Sequence, residues 1–239
     1  MELLKLKNDQ ELIETYIKRF FPYNEKSEMA PIFDGVGDCE KYANSKCRIL
    51  WVLKEAYDDF DDNGNPSGGG WGLSDVYNKS NDMYENIKAS MTLKTIAYAS
   101  NSILNNKYYE EQNWIYDDPS IANTLKEVAI INTGKLPGQS HTSWKNLKEY
   151  YEFWRPINLF QLIIYDPNIV IFGNTSWLYE QDLKLEMKFD EELNLSYSIK
   201  NGTLYIGAYH PNQRVISHTD YINSLVNAVA KYHDDIKFD

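Results

Sequence analysis

Four short apolar runs constrain this fold more than any other feature of the chain. They are RILWVLK at 48–54, VAIIN at 128–132, NIVIFGN at 168–174 and TLYIGAYHPN at 203–212. Each is of strand length, and the first three carry almost no polar alternation. Such runs read as strands buried on both faces, which is the habit of parallel sheets. The segments between them have helical periodicity. Over 8–21, Leu12, Ile13, Tyr16, Ile17 and Phe20 recur at helical spacing, and Pro22 ends the run. Over 80–105 the same period runs through Tyr84, Ile87, Met91, Ile96 and Ile103. Residues 143–165 carry one or two helices, with Arg155-Pro156 as the expected break. A closing helix over 217–233 can be capped by Ser217 or Thr219. Asn201-Gly202 is a hairpin signal. Strand–helix alternation of this kind predicts an α/β fold, a parallel sheet with helices on both faces.

The chain has 239 residues, the length of one α/β domain with a large core. We expect a single domain over 1–239, with 1–45 as an N-terminal helical and loop extension. No repeat, low-complexity tract or linker divides it. The 24 basic residues face 35 acidic ones, a net charge of −11 that repels polyanions on average. The two cysteines, Cys39 and Cys47, are too few for a four-cysteine metal or cluster site or a disulfide framework. A reduced, cytoplasmic protein is expected. The first 20 residues mix acids into the apolar positions, unlike a secretory signal, and no run approaches a membrane span of about 20 apolar residues. The histidines show no metal-ligand spacing, so neither a metal nor a cofactor is expected. NPSGGGWG lacks the ending of a nucleotide P-loop.

In open α/β sheets the ligand lies beyond the carboxyl ends of the strands. There the first strand offers Lys54 and Glu55, then a long Gly-rich loop. The second offers Asn132, then Lys135, Pro137, Gly138, His141 and Trp144. The third offers Gly173, Asn174 and Thr175, and the fourth His210, Pro211, Asn212 and Arg214. Parallel neighbouring strands would bring a carboxylate, a carboxamide and an imidazole to one cleft. A carboxylate can orient or deprotonate a water. A carboxamide can read a base edge through one acceptor and two donors. An imidazole can donate to an oxygen that gains negative charge. N-glycosidic hydrolysis needs those three roles. Each residue alone also has an ordinary reading: a solvated loop acid, a turn residue, a locally bonded histidine.

Four segments in order resemble the uracil-DNA glycosylase superfamily: LKEAYDD, AIINTGKLPGQSHTSW, DPNIVIFGNTSW and AYHPNQRVIS. They are similar to the family's first motif, its second strand ending in Asn, its proline–strand–Gly segment, and its His-Pro motif with the loop that enters the DNA minor groove. Together they cover about half the chain. The resemblance implies a three-layer α/β/α sandwich with a central four-stranded parallel sheet. It also implies a base-excision enzyme of DNA repair that flips its target base out of the stack. Carried over, Glu55 activates water, with Asp58 as the competing acid. Asn132 reads the base, and His210 stabilises its carbonyl oxygen. A ring from the first loop, Trp71 or Phe60, stacks on it. Lys54, Lys135, Pro137, Gly138, His141, Asn212, Arg214 and Val215 would lie along the DNA. Lys54 stands where the family usually has Gly, and Tyr57 where it has Pro. DNA is thus the expected partner and a monomer the expected state. A hydrolase of free nucleosides, nucleotides or modified bases, and a non-catalytic nucleobase- or nucleic-acid-binding protein of the same fold, are the alternative readings.

Overall fold

The computed structural model describes residues 2–21, 29–64, 66–138 and 142–238, with the side chains of Phe60 and Pro66 outside that description. The chain is α/β, built around a mixed seven-stranded sheet. In chain order the strands are β1 (Gly35–Val36), β2 (Ile49–Tyr57), β3 (Asp59–Phe60), β4 (Pro66–Ser67), β5 (Ala129–Gly138), β6 (Ile169–Gly173), β7 (Lys188–Asp190), β8 (Leu195–Lys200) and β9 (Thr203–Ala208). The α-helices are α1 (Leu3–Phe20), α2 (Cys39–Ala43), α3 (Leu73–Tyr77), α4 (Met83–Ile87), α5 (Met91–Asn105), α6 (Pro119–Asn123), α7 (Trp144–Tyr165), α8 (Ser176–Leu183) and α9 (His218–Lys231).

The large sheet has the order β1-β5-β2-β6-β9-β8-β7. The ladders β5–β2, β2–β6 and β6–β9 are parallel; β1, β8 and β7 pair antiparallel at the edges. The sheet is therefore wider than four strands and not purely parallel. The reason is local. Asn201 and Gly202 both take positive φ, so β9 doubles back on β8 through the expected hairpin. The two-residue β1 is too short to leave a periodic signal.

The apolar runs are buried on both faces as their composition requires. Ile49, Trp51 and Leu53 point into a core shared with α5 and α9. Leu50 and Val52 point into a second core shared with α1, α7 and α8. The first 45 residues are integral to that second core, because Leu6, Ile13, Ile17, Val36 and Tyr42 are buried in it. Among the described residues, no helix is long and apolar enough to cross a membrane.

Two helix boundaries depart from the expected ones. The 80–105 segment is two helices, because Asp82 caps α4 by accepting from the N–H groups of Tyr84 and Glu85, and Ser90 caps α5 by accepting from Leu93. Conversely, α7 runs through Pro156 without ending. Proline costs a helical hydrogen bond there. Trp154, Ile157 and Leu162 are buried on either side of it, and Asn158 donates its amide to the Thr133 carbonyl oxygen at 2.9 Å. These tertiary contacts hold both halves on one axis.

Candidate functional site

The carboxyl end of β2 is pinned from both sides. Thr133 Oγ1 donates to the Leu53 carbonyl oxygen and Thr175 Oγ1 to that of Val52, each at 2.8 Å. Beyond that point β2 carries Lys54 and Glu55. Glu55 lies in register with Gly134 on β5, and a β-bulge follows before Tyr57 pairs with Gly138. Alternation places Asn132 and Glu55 on the same face of the sheet.

Glu55 is packed into backbone. A Cβ on Gly138 would stand 1.9 Å from Glu55 Cγ, and the Gly134 position faces Glu55 Cβ and the Tyr150 ring. One carboxylate oxygen, Oε2, is buried with no hydrogen-bond partner among the described residues. Burial raises the acid to about 7, against the opposing pull of Lys54. A carboxylate of this basicity is suited to take a proton from water near neutral pH. Burial, then the nearby charges of Glu55 and Glu149, raises the Tyr150 hydroxyl.

His210 follows β9 and closes the other side. Between β2 and β9 lies only β6. The separation across it is two strand spacings, about 10 Å. The floor is Gly173, where a Cβ would stand 2.9 Å from Leu53 Cδ2 and 3.2 Å from Pro211 Cδ. Glycine there lets the His-Pro turn settle onto the sheet. The Asn212 N–H donates to His210 Nδ1 at 3.2 Å. That bond leaves the proton of the neutral ring on Nε2, as a donor. Burial, followed by the charge of Lys54, lowers His210 to about 4. The ring is neutral at physiological pH.

After His210 the chain forms a tight clip. Gln213 Oε1 accepts from the N–H groups of Val215 (2.5 Å) and Ile216 (2.9 Å), and Gln213 Nε2 donates to the Ile216 carbonyl oxygen. The clip leaves Asn212 and Arg214 exposed and turns Val215 outward, 68 % exposed.

Four assignments need correction. Lys135 does not face a phosphate backbone. Its Nζ is fully buried, 2.9 and 2.8 Å from the two carboxylate oxygens of Asp34 and 2.7 Å from Gln161 Oε1. Its position on β5 turns the side chain into the core beneath α7. Pro137 and Gly138 are buried in the same strand, so their part is in packing around Glu55 rather than along a nucleic acid. Asp58 is occupied: its Oδ2 accepts from the Gly69 N–H (2.6 Å) and from Trp71 Nε1–H (2.8 Å). The Gly-rich loop is also paired with the segment from Ala30 to Phe33, whose Ala30 and Phe33 N–H groups donate to the carbonyl oxygens of Gly68 and Trp71. Phe60 contributes its backbone to β3, which pairs with β4; its side chain and all of His141 lie outside the described residues.

Asn132 is buried, and its N–H donates to Asp34 Oδ2 at 2.6 Å. The same carboxylate accepts from Gln161 Nε2. Asp34 therefore ties the Asn132 backbone, Lys135 and α7 together. Nothing in the loop sequence around Asp34 marks it for this role, since its partners lie about 100 residues away along the chain. Trp177, in the first turn of α8 just after the β6 tip, is a second feature that sequence reasoning passed over.

Gly138→Ala tests the packing of Glu55. Overfilling of this kind costs about 1–3 kcal/mol. We expect a loss of that order in urea denaturation, together with expulsion of the Glu55 side chain toward solvent.

Compared with known proteins, the chain matches no family model and no curated protein.

Proposed function

We propose that this protein hydrolyses the N-glycosidic bond of a nucleobase in DNA, uracil or a related base, as the uracil-DNA glycosylases that it resembles do. The observation that carries the reading is the pair Glu55 and His210. A basic carboxylate, with a buried oxygen that has no partner among the described residues, packs on Gly138 of β5, and a neutral imidazole with its donor on Nε2 packs on Gly173 of β6, two strands along the same sheet. The parallel ladder order β5-β2-β6-β9 supports the glycosylase-like sandwich as the finer description of the fold.

In this reaction the bond between the sugar C1′ and the base nitrogen breaks, and its electron pair leaves with the base. His210 donates its Nε2–H to the base carbonyl oxygen as negative charge grows there. Glu55 accepts a proton from the water whose oxygen bonds to C1′. The Asn132 amide reads the base edge. The clip at 213–216 offers Val215 as the apolar wedge and Arg214 as a phosphate contact.

Release of free uracil from a uracil-containing oligonucleotide is the deciding measurement. Release no faster than that of an Asn132→Ala, His210→Ala double variant overturns the proposal. The second reading, hydrolysis of a free nucleoside, draws on the net charge of −11 and on the loss of Lys135 from the basic face. Turnover of small nucleosides with no DNA binding at low salt favours it. Binding of uracil without cleavage favours a non-catalytic module.

The pH dependence follows from Glu55. The folded value, about 7, lies above that of the unfolded chain, so between the two the folded state holds the extra proton. Stability is present below the unfolded value and falls as pH rises toward 7, then levels. Glu55→Gln removes this dependence. In urea titrations it is expected to gain roughly 2 kcal/mol on wild type between pH 4 and pH 8, the full shift being discounted for partial solvent access.

A further inference from the structure

Two tryptophans stand beside the site and the roles assigned above do not use them. Trp144 opens α7 and is 55 % exposed; Trp177 lies in the first turn of α8 and is 40 % exposed. Their rings meet edge to face, with centroids 5.8 Å apart and planes at 74°. Large aromatic surface left open to water costs stability unless a ligand covers it. The Lys54 ammonium lies over the Trp144 ring, 5.3 Å from its centroid. Lys54 directly precedes Glu55 on β2, and its charge opposes the rise of Glu55 and adds to the lowering of His210. The corner formed by the two rings is thus one side chain away from the reactive groups. Lys145 and Lys148 continue from Trp144 along α7. Both are exposed and form i,i+4 ion pairs at 3.9 Å with Glu149 and Glu152, contacts of the weak, solvent-screened kind that a phosphate can displace. Flat apolar faces with ammonium groups beside them are the complement of stacked bases joined by phosphates.

We propose that Trp144 and Trp177 form a stacking platform for a base that neighbours the reacting nucleotide, with Lys54 and Lys145 on the connecting phosphates, so that the substrate is a single-stranded polynucleotide rather than a free nucleoside. This rests on the glycosylase reading for its substrate class, but its test does not require base release. The platform takes any base, because every base has a stacking face.

The test is binding of a fluorescent dT12 oligonucleotide at low salt, by anisotropy, with tryptophan quenching as a second readout. Wild type is expected to bind and to be quenched. Trp144→Ala and Trp177→Ala should each weaken binding roughly 10-fold, in line with the loss of one stacked base. Trp→Phe at either position should restore most of it, and thermal melts should show the variants folded. A 12-mer of abasic sites, with the same phosphates and no bases, should bind about as weakly as the alanine variants. The proposal is overturned if dT12 does not bind, if the alanine variants bind it like wild type, if the abasic strand binds equally well, or if maltohexaose quenches the tryptophans and dT12 does not. Binding of dT12 with these losses, but no uracil release, would sink the glycosylase reading and leave the platform standing. Uracil release with alanine variants that bind normally would do the reverse.

Discussion

Lys135→Met is expected to destabilise the protein by about 3–5 kcal/mol in urea denaturation. The cause is the charge left behind. Asp34 and Lys135 are both fully buried, and the ammonium supplies two of the hydrogen bonds that the carboxylate accepts. Without it Asp34 keeps the Asn132 N–H and the Gln161 amide but loses its counter-charge. Burial lowers the Lys135 ammonium, and Asp34 opposes that shift by attraction and hydrogen bonding. Asp34→Ala should cost at least as much, because it removes the counter-charge of the ammonium and leaves Gln161 Nε2 and the Asn132 N–H without their acceptor. High salt should change neither loss much, since buried pairs are poorly screened. Equal stabilities of wild type and Lys135→Met would show that the pair is not formed. The consequence for the site is direct: Asp34 fixes the backbone of Asn132, so a variant that folds is also expected to bind a base less well.

Glu55→Gln and His210→Ala are expected to lower the rate of uracil release by about 10²–10⁴-fold and 10²–10³-fold respectively. Gln keeps the size of the glutamate and removes its basicity, so the loss should fall on the chemical step and not on binding. In wild type the rate should rise with pH through about 7 as Glu55 ionises, and then hold. His210 adds no break above about 4, because it is already neutral there. A rate that falls across pH 6–8, or a Glu55→Gln variant as fast as wild type, would remove Glu55 from the role of base.

Much of the framework was legible because it is written in local pattern. A run such as ILWVL can only be satisfied by apolar neighbours on both faces, and it found them. Asn201-Gly202 can take the positive φ of a tight turn, and Ser217 can accept from the Asp220 N–H that caps α9; both occur as the sequence suggests. The helix break at Pro156 was misjudged for the opposite reason: its outcome depends on what Trp154 and Ile157 bury against, which no window of sequence contains.

The candidate site divides in the same way. His210 stands just past the end of β9, as the end of its apolar run suggests, but Asn132 lies inside β5 and Glu55 inside β2, because both strands run on beyond their apolar runs. Which lysine is a surface cation and which a buried partner was not legible. Lys54 and Lys135 look alike in sequence, yet one lies over an exposed indole and the other inside the core on Asp34. Likewise the sequence leaves Asp58 open as a competing acid, whereas in the fold its Oδ2 holds the Gly69 N–H and Trp71 Nε1–H. Local periodicity and turn chemistry determine the elements and the order of their tips, since those act between near neighbours in the chain. Burial, ionisation and side-chain pairing belong to the tertiary structure alone, because they are set by groups that only the fold brings within a few ångströms.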